Sequence, residues 1–123
     1  MLFIRRGPGV TDAGFWAPLS GRIERGEDQP AAVIRETKEE VGLTVKPLRK
    51  VWESLSARGT HRLHWWLAEW VDGDLRLDPR EVSEARWLTS PEISVLENTF
   101  EKDREFFDTV LPRLGKERKV DPR

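Results

Sequence analysis

Alternating hydrophobic and polar positions predict a sheet that is covered on both sides. Residues 62–71 give the strongest strand, in which Leu63 and Trp65 point to one face and Trp66 and Trp70 point to the other. Because both faces are largely apolar, we expect other elements to pack against each of them. Short strands are predicted at residues 2–4 and 85–88, and residues 43–57 contain further strand material.

A helix is predicted between Asp28 and Gly42, where the end signals and the apolar positions agree. Asp28 is a suitable N-cap, Pro30 fits the first turn, and Gly42 suits the C-terminal stop. The helical period places one set of residues on the side that would face the core. This set consists of Pro30, Val33, Ile34, Thr37 and Val41.

The C-terminal part of the chain is predicted to contain two more helices. Ser90-Pro91 has the cap-then-proline pattern that starts a short helix. Residues 100–114 have the pattern of an amphipathic helix, in which Asp103 interrupts the apolar stripe. Residues 115–123 are charged and are expected to be frayed, so we predict a single domain over residues 1–114.

The composition narrows the class of protein. The chain has 123 residues, 35% of them charged, and no run near the ~18 apolar residues of a membrane span, so we expect one domain outside any membrane. There is no cysteine, which excludes cysteine nucleophiles and zinc–thiolate sites and fits a cytoplasmic setting. The first residues are too few and too charged for a secretory signal. A net charge of −1 argues against nucleic acid as a general partner.

The residues that carry chemistry lie on the predicted first helix. Glu36, Glu39 and Glu40 are spaced i, i+3 and i+4 and therefore share one face. Two unit charges about 4 Å apart repel by about 4 kcal/mol at an effective dielectric constant of 20, and a divalent cation removes that repulsion. Mg²⁺ prefers carboxylate oxygens and binds substrate phosphates at the same time. A lone pair of glutamates would be an ordinary solvated surface, so the interpretation depends on the wider spacing.

The wider spacing resembles the Nudix box, G-x5-E-x7-R-E-U-x-E-E-x-G-U, in which U is a bulky aliphatic residue. All seven fixed positions match, with odds of roughly 10⁻⁶ by chance over the chain, and Thr37 stands where an aliphatic residue is usual. The matching residues are Gly21, Glu27, Arg35, Glu36, Glu39, Glu40 and Gly42. The resemblance continues in residues 2–6, in residues 16–21, where Ser20 replaces a glycine, and in residues 81–87.

The resemblance implies a fold and an activity. The implied fold is an α/β/α sandwich around a mixed sheet. The implied activity is hydrolysis of a pyrophosphate linkage in a nucleoside diphosphate joined to another group, with Mg²⁺ or Mn²⁺ as cofactor and water as nucleophile. The expected partner is therefore a nucleotide-type small molecule.

The resemblance also implies the ligands of the metal. Glu36, Glu39 and Glu40 would hold the cation, and Glu27 and the carbonyl of Ser20 would complete its surroundings.

Further roles follow from the same resemblance. Arg35 would position a glutamate, and Gly21 would let the turn approach the substrate. The general base varies in this family, so a glutamate of the box such as Glu39 is one candidate and the loop residues Glu81 and Glu84 are others.

The hairpin around residues 58–66 offers candidates for substrate binding. Arg58 and Arg62 could form a phosphate-binding rim, with Trp65 or Trp66 stacking on a base. The alternative is a solvated hairpin whose tryptophans belong to the core. Trp16, close to the box, is a further candidate for contact with the substrate.

Two other functions and one assembly remain open at this point. One alternative is a Nudix fold that senses a nucleotide without cleaving it, although the intact glutamate set argues against this. The other is an RNA 5′-end pyrophosphohydrolase that would bind its substrate through residues 58–64. Family members usually have a strand before the one that starts here at Met1. We therefore expect an unpaired edge, covered by a second copy of the chain in a homodimer, unless the chain starts late.

Overall fold

The computed structural model describes residues 1–19, 23–55 and 59–117. Two strands precede the first helix, three strands follow it, and the remaining helices lie in the C-terminal part of the described residues. The strands are β1 (Leu2–Arg6), β2 (Trp16–Ala17), β3 (Thr44–Leu55), β4 (Arg62–Asp72) and β5 (Val82–Trp87). The helices are α1 (Gln29–Val41), α2 (Ser90–Ser94), α3 (Glu101–Glu105) and α4 (Leu111–Glu117), with a π-helical segment, Phe106–Val110, between the last two.

The strands form two antiparallel groups. β1 lies between β2 and β5, while β3 and β4 form a long hairpin with several register shifts. A parallel contact is made by the bridge between Trp16 and Thr99. The expectation of an unpaired edge beside the first strand is wrong, because β1 is hydrogen-bonded on both sides. With that edge filled, the structure gives no support for the expected homodimer.

Two hydrophobic cores lie on opposite sides of the strands. Phe3 and Ile4 are neighbours on β1 and point to opposite faces, so each joins a different core. The first core, under the C-terminal helices, contains Phe3, Trp16, Leu88, Ile93, Phe106, Phe107, Val110 and Leu114. The second core, under α1, contains Ile4, Val41, Leu43 and Val82. Helices therefore cover both faces, as predicted, and the architecture is an α/β/α sandwich.

The hairpin of β3 and β4 contributes to both layers. Trp65 stacks on Phe106 with ring centroids 4.3 Å apart, whereas Trp70 stacks on Trp87 at 5.9 Å against the second core. The indole N–H of Trp66 donates to Gln29 at the start of α1. The predicted alternation of this strand is confirmed.

The first helix begins and ends where its sequence signals predict. The Asp28 carboxylate accepts a hydrogen bond from the backbone N–H of Ala31 at 2.8 Å, and Gly42 adopts a φ of 79° at the C-terminus. One expectation for its core face is wrong, since Ile34 is 42% exposed. The buried residues of α1 are Ala32, Thr37 and Val41, which are spaced five and then four residues apart. Ile34 lies outside the stripe that they form on the helix surface.

The C-terminal region departs from a single regular helix. Pro112 has no N–H and its ring would clash with the carbonyl of Asp108, which accounts for the π-helical widening just before it. Helix α4 continues to Glu117, beyond the predicted end at residue 114.

The cap of α2 is Thr89 rather than Ser90, because Thr89 forms a reciprocal capping box with Glu92. In the part of the chain with described coordinates, no helix has the length and apolar character to cross a membrane.

Candidate active site

Arg35 is the centre of the acidic face of α1. Its Nε and Nη2 donate to both carboxylate oxygens of Glu27, at 2.7 and 2.9 Å. Its Nη1 donates to Glu36 at 2.8 Å and to Glu39 at 3.1 Å. Glu24 lies 3.0 Å from the Nε atom. One guanidinium thus contacts four carboxylates, which leaves an excess of negative charge.

The pKa values of this cluster follow from its hydrogen bonds. The bond from Arg35, followed by a backbone hydrogen bond at Glu24, lowers the pKa of Glu27 to about 2. The same bond to Glu27, followed by that to Glu36, raises the pKa of Arg35 above its usual range. The pair therefore stays ionised over the whole physiological range, which holds the loop before α1 against the helix.

Glu40 differs from the other glutamates of the helix because one of its carboxylate oxygens, Oε2, is buried without a hydrogen-bond partner, although the residue as a whole is only partly buried. Burial raises its pKa to about 8, and the negative charge of Glu36, a hydrogen bond with Glu36 and the charge of Glu81 act in the same direction. Arg6 acts in the opposite direction. The Glu40 Oε2 atom has no hydrogen-bond partner among the described residues. A buried carboxylate oxygen without a partner is costly, so this position favours a proton or a cation.

Two loops meet closely beside Glu40. The backbone N–H of Gly7 donates to the Glu81 carbonyl at 2.8 Å, and that of Gly9 donates to the Arg80 carbonyl at 2.6 Å. A Cβ atom at Gly7 would lie only 2.5 Å from the Arg80 carbonyl oxygen, so the approach requires glycine there. This contact fixes Glu81, a residue from a distant part of the chain, next to the acidic face.

The side chains of this site are of the chemical type that binds a hard divalent cation. Carboxylates are the oxygen ligands that such a cation prefers, the charges of Glu36 and Glu81 both act on Glu40, and one oxygen of Glu40 is buried without a partner. As the side chains stand, no three acidic or histidine residues of the described ranges are grouped closely enough to hold a metal. The reason is Arg35, which draws Glu36 and Glu39 toward itself. A cation would have to compete with this guanidinium for both carboxylates.

Glu81 and Glu84, the two loop candidates for the base, lie in different surroundings. Glu81 immediately precedes β5 and acts electrostatically on Glu40. Glu84 lies within β5, opposite Arg5, and forms an ion pair with Arg86. Glu81 therefore interacts electrostatically with Glu40 of α1, whereas Glu84 is paired with Arg86.

The predicted substrate contacts are dispersed. Arg62 is largely exposed and lies 3.4 Å from Glu53, while Trp66 is partly buried beside the start of α1. Trp16 is 9% exposed in the first core, with the Arg86 guanidinium 5.4 Å from its ring centre, and this burial does not favour contact with a ligand. Three further candidates lie outside the described residues: Ser20, Gly21 and Arg58.

Sequence reasoning missed two charged residues of this region. Glu24 adds a carboxylate to Arg35, and Arg6 adds a positive charge near Glu40. The position of Arg6 at the end of a predicted strand, directly before Gly7-Pro8-Gly9, was an available signal. No local pattern distinguishes Glu24 from an exposed loop residue.

The amino-acid sequence matches a known family of proteins. A sequence model of the NUDIX domain matches residues 1–110. The chain is 33% identical over 96 residues to the NAD-capped RNA hydrolase NudC of Deinococcus radiodurans, covering 78% of this chain and 34% of that protein. It is 35% identical over 83 residues to NudC of Escherichia coli K12, covering 68% of this chain and 32% of that protein. The chain thus spans about a third of the length of these curated relatives.

Solved structures show the same fold. The MutT protein from Methanosarcina mazei matches with a TM-score of 0.74 at 24% identity, over 97% of this chain and 85% of that one. A Caenorhabditis elegans Ap4A hydrolase matches with a TM-score of 0.73 at 20% identity, over 94% of this chain and 86% of that one. Together with the match over residues 1–110, these findings show that the chain belongs to the NUDIX domain family.

Proposed function

We propose that this protein hydrolyses a pyrophosphate linkage in a nucleoside diphosphate joined to another group, with Mg²⁺ or Mn²⁺ as cofactor. The observation that carries the proposal is the buried, unpartnered Oε2 atom of Glu40, close to Glu36 and Glu81 on an otherwise charged surface. A site of this kind is electrostatically unfavourable until positive charge enters it. The relatives named above support the class of reaction.

Glu36, Glu39 and Glu40 would hold the cation, with Glu27 supporting them through Arg35. When bound, a divalent cation supplies a more acidic water and neutralises charge on the phosphates. The main-chain carbonyl of Ser20 is a further candidate ligand.

The protein's own residues would prepare this site in two ways. Arg35 is anchored by both oxygens of Glu27, so it can release Glu36 and Glu39 without leaving its place. Glu40, with a pKa of about 8, holds a proton at neutral pH and must give it up to act as a ligand. Occupation of the site is therefore linked to proton release.

We assign the general base to Glu81 in preference to Glu84. Glu81 is held beside Glu40 by the contact between its carbonyl and Gly7, whereas the Glu84 carboxylate is engaged with Arg86. A base must lie within reach of the attacking water, and of these two glutamates only Glu81 acts electrostatically on Glu40 in the acidic face. Glu39 remains the alternative from within the box.

For substrate binding we retain Trp66 in preference to Trp65. The ring of Trp65 is covered by Phe106, while Trp66 lies on the α1 side of the hairpin. Arg62, and by position Arg58 and Gly21, would contact phosphates, and Trp16 is the weakest candidate because of its burial.

A second candidate substrate is the capped 5′ end of an RNA. It is favoured by the two NudC relatives, which are NAD-capped RNA hydrolases. In both substrates the bond to be cleaved is a pyrophosphate between two nucleosides or between a nucleoside and another group. The net charge of −1 favours the small molecule.

A substrate screen tests the proposal. The purified chain is incubated with Mg²⁺ or Mn²⁺ and, separately, with NAD, ADP-ribose, diadenosine tetraphosphate, a UDP-sugar and NAD-capped RNA, and the products are separated by chromatography. We expect cleavage of at least one pyrophosphate bond, incorporation of ¹⁸O from labelled water into one phosphate product, and no activity after addition of EDTA. Binding without turnover would indicate a nucleotide sensor, and activity only on phosphate monoesters would contradict the proposed reaction.

A further inference from the structure

His64 and Trp66 lie on the face of β4 that is turned toward α1. One residue separates them, so their side chains point the same way and are about 7 Å apart along the strand. The Trp66 indole N–H donates to the side chain of Gln29, the first residue of α1, at 3.0 Å. This bond fixes the orientation of the indole, while the residue remains only partly buried.

The same bond connects Trp66 to the acidic face of α1. Gln29, Glu36 and Glu40 are seven and then four residues apart, and both intervals are close to whole turns of a helix. The three side chains therefore share one stripe, along which Glu36 lies about 10 Å from Gln29. Trp66 is thus at one end of the stripe whose other end carries the candidate metal ligands. A nucleotide that follows this stripe from its diphosphate at the glutamates directs its base toward Trp66.

His64 has one covered ring nitrogen and one accessible ring nitrogen. Nδ1 is buried and has no hydrogen-bond partner over residues 1–19, 23–55 and 59–117, and Nε2 forms no hydrogen bond with these residues either. The side chain as a whole is 22% exposed, so its exposed part is the opposite side of the ring, which carries Nε2. Glu53 is the cross-strand partner of His64, and its Oε1 lies 3.8 Å from Nδ1, which is too long for a hydrogen bond.

Glu53 determines which tautomer of His64 is favoured. Its carboxylate is anchored by Lys50 at 2.9 Å and by Arg62 at 3.4 Å, and the hydrogen bond from Lys50 is the main cause that lowers the pKa of Glu53. An ionised carboxylate only accepts hydrogen bonds, so a shift of about 1 Å that closes the gap to His64 requires the proton on Nδ1. The accessible Nε2 then carries a lone pair and acts as an acceptor.

We propose that Trp66 and His64 form the subsite for an adenine base, in which the indole stacks on the purine and Nε2 of His64 accepts a hydrogen bond from the 6-amino group. The inference rests on the proposed function, because it takes the diphosphate of the same molecule to lie at the α1 glutamates. Adenine combines two rings, which cover more of an indole than one ring does, with an amino donor and no keto oxygen. A keto oxygen in the same place would face the lone pair of Nε2 and be repelled.

The test compares two ligands that differ at the purine edge assigned to His64. They are α,β-methylene-ADP and the same compound with hypoxanthine in place of adenine. Each is titrated calorimetrically into the whole chain with saturating Mn²⁺ at pH 8, where histidine side chains in peptides are neutral. We expect the unmodified chain to bind the adenine compound about fivefold more tightly or better, which is the effect of one hydrogen bond. In His64→Phe, which keeps an aromatic ring without its nitrogens, the two affinities should differ by less than about twofold.

Three further variants complete the design. Trp66→Leu should weaken both compounds by about tenfold and keep their ratio, because stacking does not distinguish the bases. Glu53→Gln should reduce the preference for adenine, because an amide donates as well as accepts and no longer fixes the tautomer of the imidazole. His61→Phe is the matched control, since His61 is the other histidine of the chain and lies exposed beside Thr60. It should leave both affinities within about twofold.

The ¹⁵N shifts of the imidazole nitrogens provide a readout that needs no folded variant. The chain has only two histidines, so the His64 signals are assigned by comparison with His61→Phe. With α,β-methylene-ADP bound, we expect His64 to carry its proton on Nδ1. A proton on Nε2 in this complex would contradict the inference.

The outcomes separate the two proposals. Equal affinities for the two compounds, tighter binding of the hypoxanthine compound, or a preference for adenine that survives in His64→Phe would each overturn the adenine subsite and leave the proposed function in place. If the unmodified chain binds Mn²⁺ but neither compound, the proposed diphosphate substrate is wrong and the subsite is overturned with it.

Discussion

Asp103, which is buried, and Glu40, which is partly buried, both have raised pKa values, and they differ in what surrounds their carboxylates. Burial alone raises the pKa of Asp103 to about 6. For Glu40 burial is joined by Glu36 and Glu81, and the pKa reaches about 8. Asp103 lies in α3 beside the aromatic π-helical segment, whereas charged residues from three parts of the chain converge on Glu40. A buried acid indicates a functional site when other charged groups are brought to it at the same time.

The largest expected effect is the loss of turnover in Glu40→Gln. The amide cannot act as an anionic ligand, so we expect activity with Mg²⁺ to fall by at least about a hundredfold, while the fold is retained. Without metal the variant should be more stable at pH 7, by up to about 3 kcal/mol, because the ionised form of Glu40 is destabilised by burial. Initial rates and denaturant unfolding measure the two effects. The exposed Glu105→Gln is the control, and near-normal turnover of Glu40→Gln would contradict the distinction between the two acids.

A second prediction separates the two loop glutamates. If Glu81 is the general base, Glu81→Gln should lower kcat by about a hundredfold or more, with a small effect on KM. Glu84→Gln should change kcat by less than about threefold, since its ion pair with Arg86 is at the surface. Steady-state kinetics in Mg²⁺ give both values. A larger loss of kcat for Glu84→Gln than for Glu81→Gln would make Glu84 the general base instead of Glu81.

Asp103 should affect stability and leave chemistry unchanged. A raised folded pKa means that this acid costs nothing well below its unfolded pKa of about 4, and that its cost grows as pH rises toward 6. Asp103→Asn should therefore stabilise the fold at pH 7 by up to about 3 kcal/mol, and much less near pH 4. Urea unfolding at the two pH values tests this, with kcat expected to stay within about twofold. A large loss of activity would place Asp103 in the site and remove the contrast with Glu40.

The sequence predicts local features better than contacts between distant segments. The caps of α1 and the alternation of β4 depend on neighbouring residues, and both are confirmed by the structure. The first strand was wrongly expected to leave an unpaired edge, whereas β1 lies between β2 and β5, because strand order depends on pairing across the whole chain. The same limit applies to Ile34, whose exposure depends on how α1 crosses the sheet.

In the candidate site, too, the features set by neighbouring residues were predicted and the contacts between distant segments were not. The spacing of the glutamates along α1 places them on one face, and the family resemblance implies that Arg35 positions a glutamate. Neither indicates that Arg35 binds two of the α1 glutamates at once or that Glu40 has a buried oxygen without a partner. Those features depend on side-chain conformations and on a loop contact between Gly7 and Glu81. The effect of Arg6 on Glu40 was missed for this reason, since it arises only when β1 and β5 are paired.

Proton release on metal binding tests the central claim that Glu40 is a ligand of the cation. Mn²⁺ is titrated calorimetrically at pH 7 in two buffers of different ionisation enthalpy, which gives the number of protons released. With a pKa of about 8, Glu40 is largely protonated at pH 7, so we predict release of close to one proton per cation. In Glu40→Gln the release should vanish together with most of the affinity. Mn²⁺ binding that releases no proton from the unmodified chain, or equal release from Glu40→Gln, would contradict the account.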